Sequence, residues 1–173
     1  MEHIAHAASG LGPLATQAAS YLWLIPFFPL VGAVINATLG VPLQRKFGKG
    51  VVHGIGVGAM VVSFAVACVA FVNLIGLPPE QRFLQDTLWN AISVGNISVD
   101  LGFALDPLSM MMTLIITFIG TLIHVFSTGY MADEPSYWRF FAYLNLFIFS
   151  MLLLVMGDNF VLMFFGWEGV GLC

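Results

Sequence analysis

The hydrophobic positions of this chain gather into long, nearly unbroken runs. Residues 21–39, 51–75, 107–127 and 137–156 are almost wholly apolar, and a further run opens at Asn159 or Phe160 and continues to Cys173. A run of about 20 apolar residues is what a helix needs to cross a hydrocarbon core about 30 Å thick. The pattern therefore predicts an all-α transmembrane helix bundle with four complete spans. The fifth run, 160–173, has only fourteen residues and is expected to be a truncated span, so the chain is expected to be the N-terminal part of a longer protein.

One stretch changes period. Ile97, Val99, Leu101, Phe103 and Leu105 alternate with Ser98, Asp100, Gly102, Ala104 and Asp106. Strict alternation predicts a strand with one apolar face. Gly95-Asn96 is a tight-turn pair, with 91–94 as the shorter partner strand. A short surface β-hairpin, about 89–106, is thus expected between spans two and three. An unclosed hairpin cannot cross lipid, so it should lie as an amphipathic flap on the membrane surface or against another subunit.

Breakers set the other boundaries. Pro26 and Pro29 fall in the first turns of span one, and Tyr21 and Trp23 suit an interfacial aromatic belt. Residues 41–50 are expected to form a loop carrying Arg45, Lys46 and Lys49. Gly54, Gly56 and Gly58 suggest tight helix contact at the start of span two, and His53 is expected to face headgroups. Pro78-Pro79 ends span two, and Asp106 before Pro107 is a strong helix start. The organisation expected is an outer tail (1–20), a four-span region (21–157) and the start of a further unit (158–173).

Composition narrows the class. With 60% hydrophobic and 8% charged residues, the chain has no soluble surface to offer. Its five Lys and Arg residues are scattered, which excludes a nucleic-acid interface. Cys68 and Cys173 form no CxxC, so no iron–sulfur cluster or structural zinc is expected, and His3 and His6 are read as tail residues rather than metal ligands. Arg45, Lys46, Lys49 and Arg139 would share one side of the membrane against Arg82 on the other. Basic residues favour the cytoplasm, so the tail, the hairpin and Asp158 are expected outside.

The candidate chemistry sits in the fifth run. Glu168 lies eight residues past Phe160, about 12 Å along a helix and thus near the bilayer centre. A carboxylate there costs at least about 2.5–3.5 kcal/mol, so it should face protein or a wet cavity, and the default reading is function. Gly166, Gly169 and Gly171 surround it and let another helix approach or give the acid room. The alternative is a carboxylate that pins helix packing. His124 is either an interfacial or hydrogen-bonded helix-end histidine or a proton relay. Asn145 is read as a packing residue.

Three motifs carry a resemblance. Residues 103–110 (Phe-Ala-Leu-Asp-Pro-Leu-Ser-Met), 139–147 (Arg-Phe-Phe-Ala-Tyr-Leu-Asn-Leu-Phe) and 166–173 (Gly-Trp-Glu-Gly-Val-Gly-Leu-Cys) resemble the start of chain 5, called chain L in bacteria, of respiratory complex I (NADH:quinone oxidoreductase). The resemblance runs from about Tyr21 to Cys173 and is closest from Leu101 onward. It implies a proton-translocating, antiporter-like subunit of the membrane arm, a translocase without redox chemistry of its own. NADH, flavin, iron–sulfur clusters and quinone would bind other subunits. Glu168 would correspond to the family's fifth-span glutamate, with Trp167, Gly166, Gly169 and Gly171 supporting it. That glutamate works against a lysine on a later, broken helix, which this sequence does not contain, so the chain by itself is expected to be inactive. The partners implied are other membrane-arm subunits, the lipid bilayer and protons. The location implied is an inner membrane, bacterial in preference to mitochondrial. Two other readings stand beside this one: a subunit of a multi-subunit sodium/proton antiporter, and a non-catalytic truncated membrane protein.

Overall fold

A computed structural model describes residues 17–94 and 97–173. The expected tail up to residue 16, with His3 and His6, and the Gly95-Asn96 turn lie outside the described residues. The order is β1 (Gln17–Ala18), α1 (Leu24–Phe47), α2 (Lys49–Ile75), a 3-10 turn (Pro79–Gln81), β2 (Leu84–Val94), β3 (Ile97–Leu105), α3 (Pro107–Tyr130), α4 (Tyr137–Met156) and α5 (Phe160–Leu172). The helices α1 to α4 are each long and apolar enough to cross a membrane, and the chain is an integral membrane protein.

The bundle is built around α4, which packs against α1, α2, α3 and α5. Its buried residues Phe141, Asn145, Ile148, Leu152 and Met156 recur every three or four positions and so form one stripe. Lipid supplies no hydrophobic drive between helices, so close packing must do the work, and small residues permit it. A Cβ on Gly40 of α1 would fall 2.7 Å from the Trp138 side chain, and one on Gly56 of α2 would fall 2.9 Å from both Phe141 and Asn145. Gly54 and Gly58 face open space, so only Gly56 of that glycine run makes the contact expected of it.

Pro29 lies inside α1 rather than only at its start. A proline there deprives the carbonyl four residues back of its helical donor. That carbonyl is Ile25 O, and the buried Ser63 hydroxyl of α2 donates to it at 2.6 Å. The neighbouring helix thus repairs the gap that the proline opens.

Three boundaries differ from the sequence reading. First, α1 runs to Phe47, and the loop expected over 41–50 shrinks to Gly48, at φ 82°. Gln44, Arg45 and Lys46 are good helix formers, and a polar run need not end a helix that is leaving the membrane. Second, β2 begins at Leu84, not near residue 91. Its pairing with β3 slips between Thr87 and Trp89 and again between Asn90 and Ile92, which breaks the period of two. Asp86, moreover, is a buried acid among the inward positions. Third, β1 pairs in parallel with β2, so the sheet has three strands, the first from the stretch expected to be tail. The sheet is no free flap, because Leu84, Phe103 and Leu105 join the same buried cluster as Ile25, Leu152 and Met156. Side chains 91–99 are outside the described ones, so of the expected stripe half-buried Leu101 and buried Phe103 and Leu105 can be placed.

The ends of the bundle differ in charge. Lys49 Nζ donates to Ala132 O at 2.5 Å and to Glu134 O at 3.0 Å, and Gln44 accepts from Trp138 N–H at 3.2 Å. These bonds join the α1–α2 corner to the α3–α4 loop, collecting Arg45, Lys46, Lys49 and Arg139 at one end. His53 meets Tyr137 here, 3.0 Å from Nδ1 to the hydroxyl, instead of facing headgroups as expected.

At the opposite end α3 starts as the sequence predicts. Asp106 Oδ1 accepts from Ser109 N–H at 2.7 Å, and Ser109 Oγ accepts from Asp106 N–H at 2.9 Å, with Pro107 in the first turn. Burial alone would push the Asp106 carboxyl up, but the hydrogen bonds from Ser109 outweigh it and hold the carboxyl below its usual range. Asp106→Ala should cost about 1 kcal/mol. The carboxylate's contribution should be complete above the unfolded value of about 3.9 and fade as pH falls through the lower folded value. Thermal unfolding of the detergent-solubilised full-length protein at several pH values checks both, and Asp106→Asn, which keeps the capping oxygen, should lose less and flatten the acid limb.

Candidate functional site

Helix α5 carries the principal candidate. Asn159 caps it, Oδ1 accepting from Leu162 N–H at 3.0 Å. The helix then lies against α4 through residues that have no side chain. A Cβ on Gly166 would fall 2.5 Å from Leu154 N and 2.9 Å from Ser150 O, so the two backbones touch. Gly169 faces the Ser150 side chain in the same way, while Gly171 faces open space. Gly166 and Gly169, three apart, share the contact face with buried Leu162. Glu168 is about 200° round the helix from Gly166, at about 100° per residue. Accordingly, Glu168 is exposed on the side turned away from α4, and Trp167 is exposed on a flank, where it borders a groove with Leu154 of α4. An open apolar groove of about 470 Å³ between α4 and α5, lined by Tyr143, Phe147, Val170 and Cys173 among others, lies near the same end of α5.

His124 belongs to a different region. It is completely buried in α3, with its ring centroid 6.1 Å from that of Phe141. Its Nδ1 is 2.7 Å from Gly120 O. A carbonyl only accepts, so Nδ1 carries the proton and Nε2 offers a lone pair, which has no partner among the described residues. The structure does not bring His124 to Glu168. Phe141, which His124 touches, is nine residues from Ser150, which Gly169 touches, or about 13 Å along α4.

Two asparagines deepen this polar interior. Asn145 Nδ2 donates to Phe141 O at 2.9 Å, and Asn36 Nδ2 to Val52 O at 3.3 Å. Those bonds fix both amide orientations and leave both Oδ1 atoms buried without a donor among the described residues. Both amides lie within 3.5 Å of one point, the place of an absent Cβ on Gly56. Asn36 escaped the sequence reading, although its signal is there: Gly32, Asn36 and Gly40 recur every four residues and mark one face of α1.

Residues 89–141 match the family model described as NADH-Ubiquinone oxidoreductase (complex I), chain 5 N-terminus. The chain is 42% identical over 152 residues to NADH-quinone oxidoreductase subunit L of Mycobacterium tuberculosis, covering 88% of this chain and 23% of that protein. By sequence it is similar to the N-terminal part of complex I chain 5 / subunit L proteins. Subunit L of Escherichia coli is 39% identical, covering 88% of this chain and 24% of that protein. NADH-ubiquinone oxidoreductase chain 5 of the fungus Rhizopus stolonifer is 40% identical, covering 83% and 21%. The chain thus spans roughly a quarter of the length of these relatives. The family match covers the hairpin from Trp89 on, α3 and the first turn of α4, which includes the resembling run 103–110 and the start of the run 139–147.

Proposed function

We propose that this chain forms part of the proton-translocating membrane arm of an NADH:quinone oxidoreductase, with Glu168 as its proton-carrying group. The observation that carries the proposal is the mounting of Glu168. A carboxylate projects from an apolar helix on the side away from a backbone-to-backbone contact, in a chain akin to complex I subunits. Bare lipid would penalise that charge by about 2.5–3.5 kcal/mol or more. The exposed face of α5 is therefore read as covered by further protein, and residues 158–173 as part of an antiporter-like, proton-translocating domain. Trp167 lies on its flank, while Gly166 and Gly169 hold the opposite face. His124, with its free lone pair in the buried interior, is the candidate relay.

In this reading the chain has no redox group. NADH, flavin, iron–sulfur clusters and quinone bind other subunits, and the chain assembles with the remaining membrane-arm subunits. The membrane is a bacterial inner membrane, in keeping with the bacterial sources of two of the three relatives named above. The test is proton pumping by the assembled complex in liposomes, with the full-length subunit carrying Glu168→Gln. Quinone-linked pumping should be lost while NADH oxidation by an artificial acceptor survives; normal pumping in the assembled variant would overturn the reading.

A further inference from the structure

The linker from α4 into α5 is stitched to the hairpin. Asp158 N–H donates to Gly102 O at 3.2 Å, and Gly157 forms a β-bridge with Phe103. Asn159 Nδ2 donates to Asp100 O at 2.6 Å and to Asp158 Oδ1 at 2.7 Å. The oxygen of the same amide caps α5 through Leu162 N–H. One side chain therefore faces two ways: its oxygen begins the helix, and its nitrogen ties that helix to β3.

Helix α5 has a second attachment, the contact of Gly166 and Gly169 with α4. At Gly166 backbone meets backbone, so no side-chain rotamer can absorb a shift there, while Gly169 rests on the Ser150 side chain. Glu168 is nine residues beyond Asn159, about 13 Å along the axis and half a turn out of phase. A helix tilts as a rod over a few turns, so with that contact as pivot a displacement at the Asn159 end tilts the helix and shifts Glu168, which projects from the far side of the axis, along the axis direction.

We propose that Asn159 is a positioning residue for Glu168, and that its amide nitrogen couples the place of the hairpin to the place of the carboxylate. This rests on the reading of Glu168 as the proton-carrying group. Capping and coupling use different atoms and can be separated. Asn159→Asp and Asn159→Ser both keep an oxygen for Leu162 N–H, and both lose the N–H that reaches Asp100 O. Gly102→Ala works from the other side. Its Cβ would overlap the Asp158 carboxylate down to Cγ at 2.8 Å, so residue 158 must shift from β3 and strain its N–H bond to Gly102 O, while the Asn159 cap is left untouched.

The experiment uses the full-length subunit in the assembled complex, with assembly read on native gels. With coupling, Asn159→Asp, Asn159→Ser and Gly102→Ala all lower the kcat of quinone-linked pumping several-fold, with KM for NADH and quinone unchanged. Agreement between the charged and uncharged Asn159 variants identifies position, not charge, as the cause. If Asn159 only caps, both Asn159 variants pump like the parent and the proposal falls. Should they fail to assemble, Gly102→Ala decides: a lowered kcat supports the coupling and a parental kcat overturns it. Glu168→Gln measured in parallel separates the two ideas. Normal pumping there removes the premise, whereas lost pumping beside parental Asn159 and Gly102 variants removes only the coupling.

Discussion

Glu168→Gln in the assembled full-length subunit is expected to abolish pumping without weakening the fold. The substitution is nearly isosteric and swaps an ionisable group for one that cannot carry a proton through a cycle. Nothing in the α5–α4 contact depends on the carboxylate, because Gly166, Gly169 and Leu162 make that contact and Glu168 is turned away from it. Removing a charge at membrane depth also lifts a penalty of about 2.5–3.5 kcal/mol, so yield and thermal stability should hold or rise. That combination, lost function with stability kept, distinguishes a proton carrier from a packing group. A group that pins helices would show the reverse, stability lost first and activity only in proportion. Glu168→Asp, which withdraws the carboxyl by one methylene, should retain part of the activity, and measuring all three proteins side by side checks the order.

Gly166→Val is expected to have the largest structural effect of any single change in α5. A Cβ at Gly166 meets Leu154 N at 2.5 Å and Leu154 Cα at 2.8 Å, and these are backbone atoms that cannot rotate aside. The helix must lift from α4. Overpacking of this kind costs about 1–3 kcal/mol in a well-packed interior, before the loss of the Leu162 contact is counted. The variant should assemble poorly, and any assembled fraction should pump weakly because Glu168 has moved. Gly166→Ala, with a single methyl, should show the same defect in milder form. Native gels and pumping assays on both variants and the parent test this. Parental behaviour of Gly166→Val would mean that α5 does not rest on α4 through Gly166.

Residues whose signal is local were legible. Asp106-Pro107 announced a helix start, because a cap and its proline are adjacent in sequence, and the structure places the cap there. Glu168 stood out because a single acid interrupts an apolar run. The alternation from Ile97 to Leu105 gave β3 as a strand. Features that depend on partners distant in sequence were not legible. The bond between Asn159 and Asp100 joins residues 59 apart and leaves no periodicity behind. The early start of β2 was hidden by its two slips in register and by inward-facing Asp86. The length of α1 was obscured by the assumption that Gln44, Arg45 and Lys46 must be loop because they are polar. The repair of Pro29 by Ser63 needs the three-dimensional pairing of α1 with α2 before either residue has meaning.

The single residue between α1 and α2 constrains how the protein is made. With only Gly48 joining them, neither helix has slack to wait in water for the other, so the translocation machinery must receive the pair as one folded hairpin. Its tip carries Arg45, Lys46 and Lys49, which favour the cytoplasmic side, so the two open ends are expected to be the exported ones. Residues 1–23 hold Glu2 as their one charged side chain apart from histidines, and no Lys or Arg. An arginine pair placed at Ala18 and Ala19 should therefore impede export of that end, and insertion of the α1–α2 pair into membrane vesicles should fall in proportion.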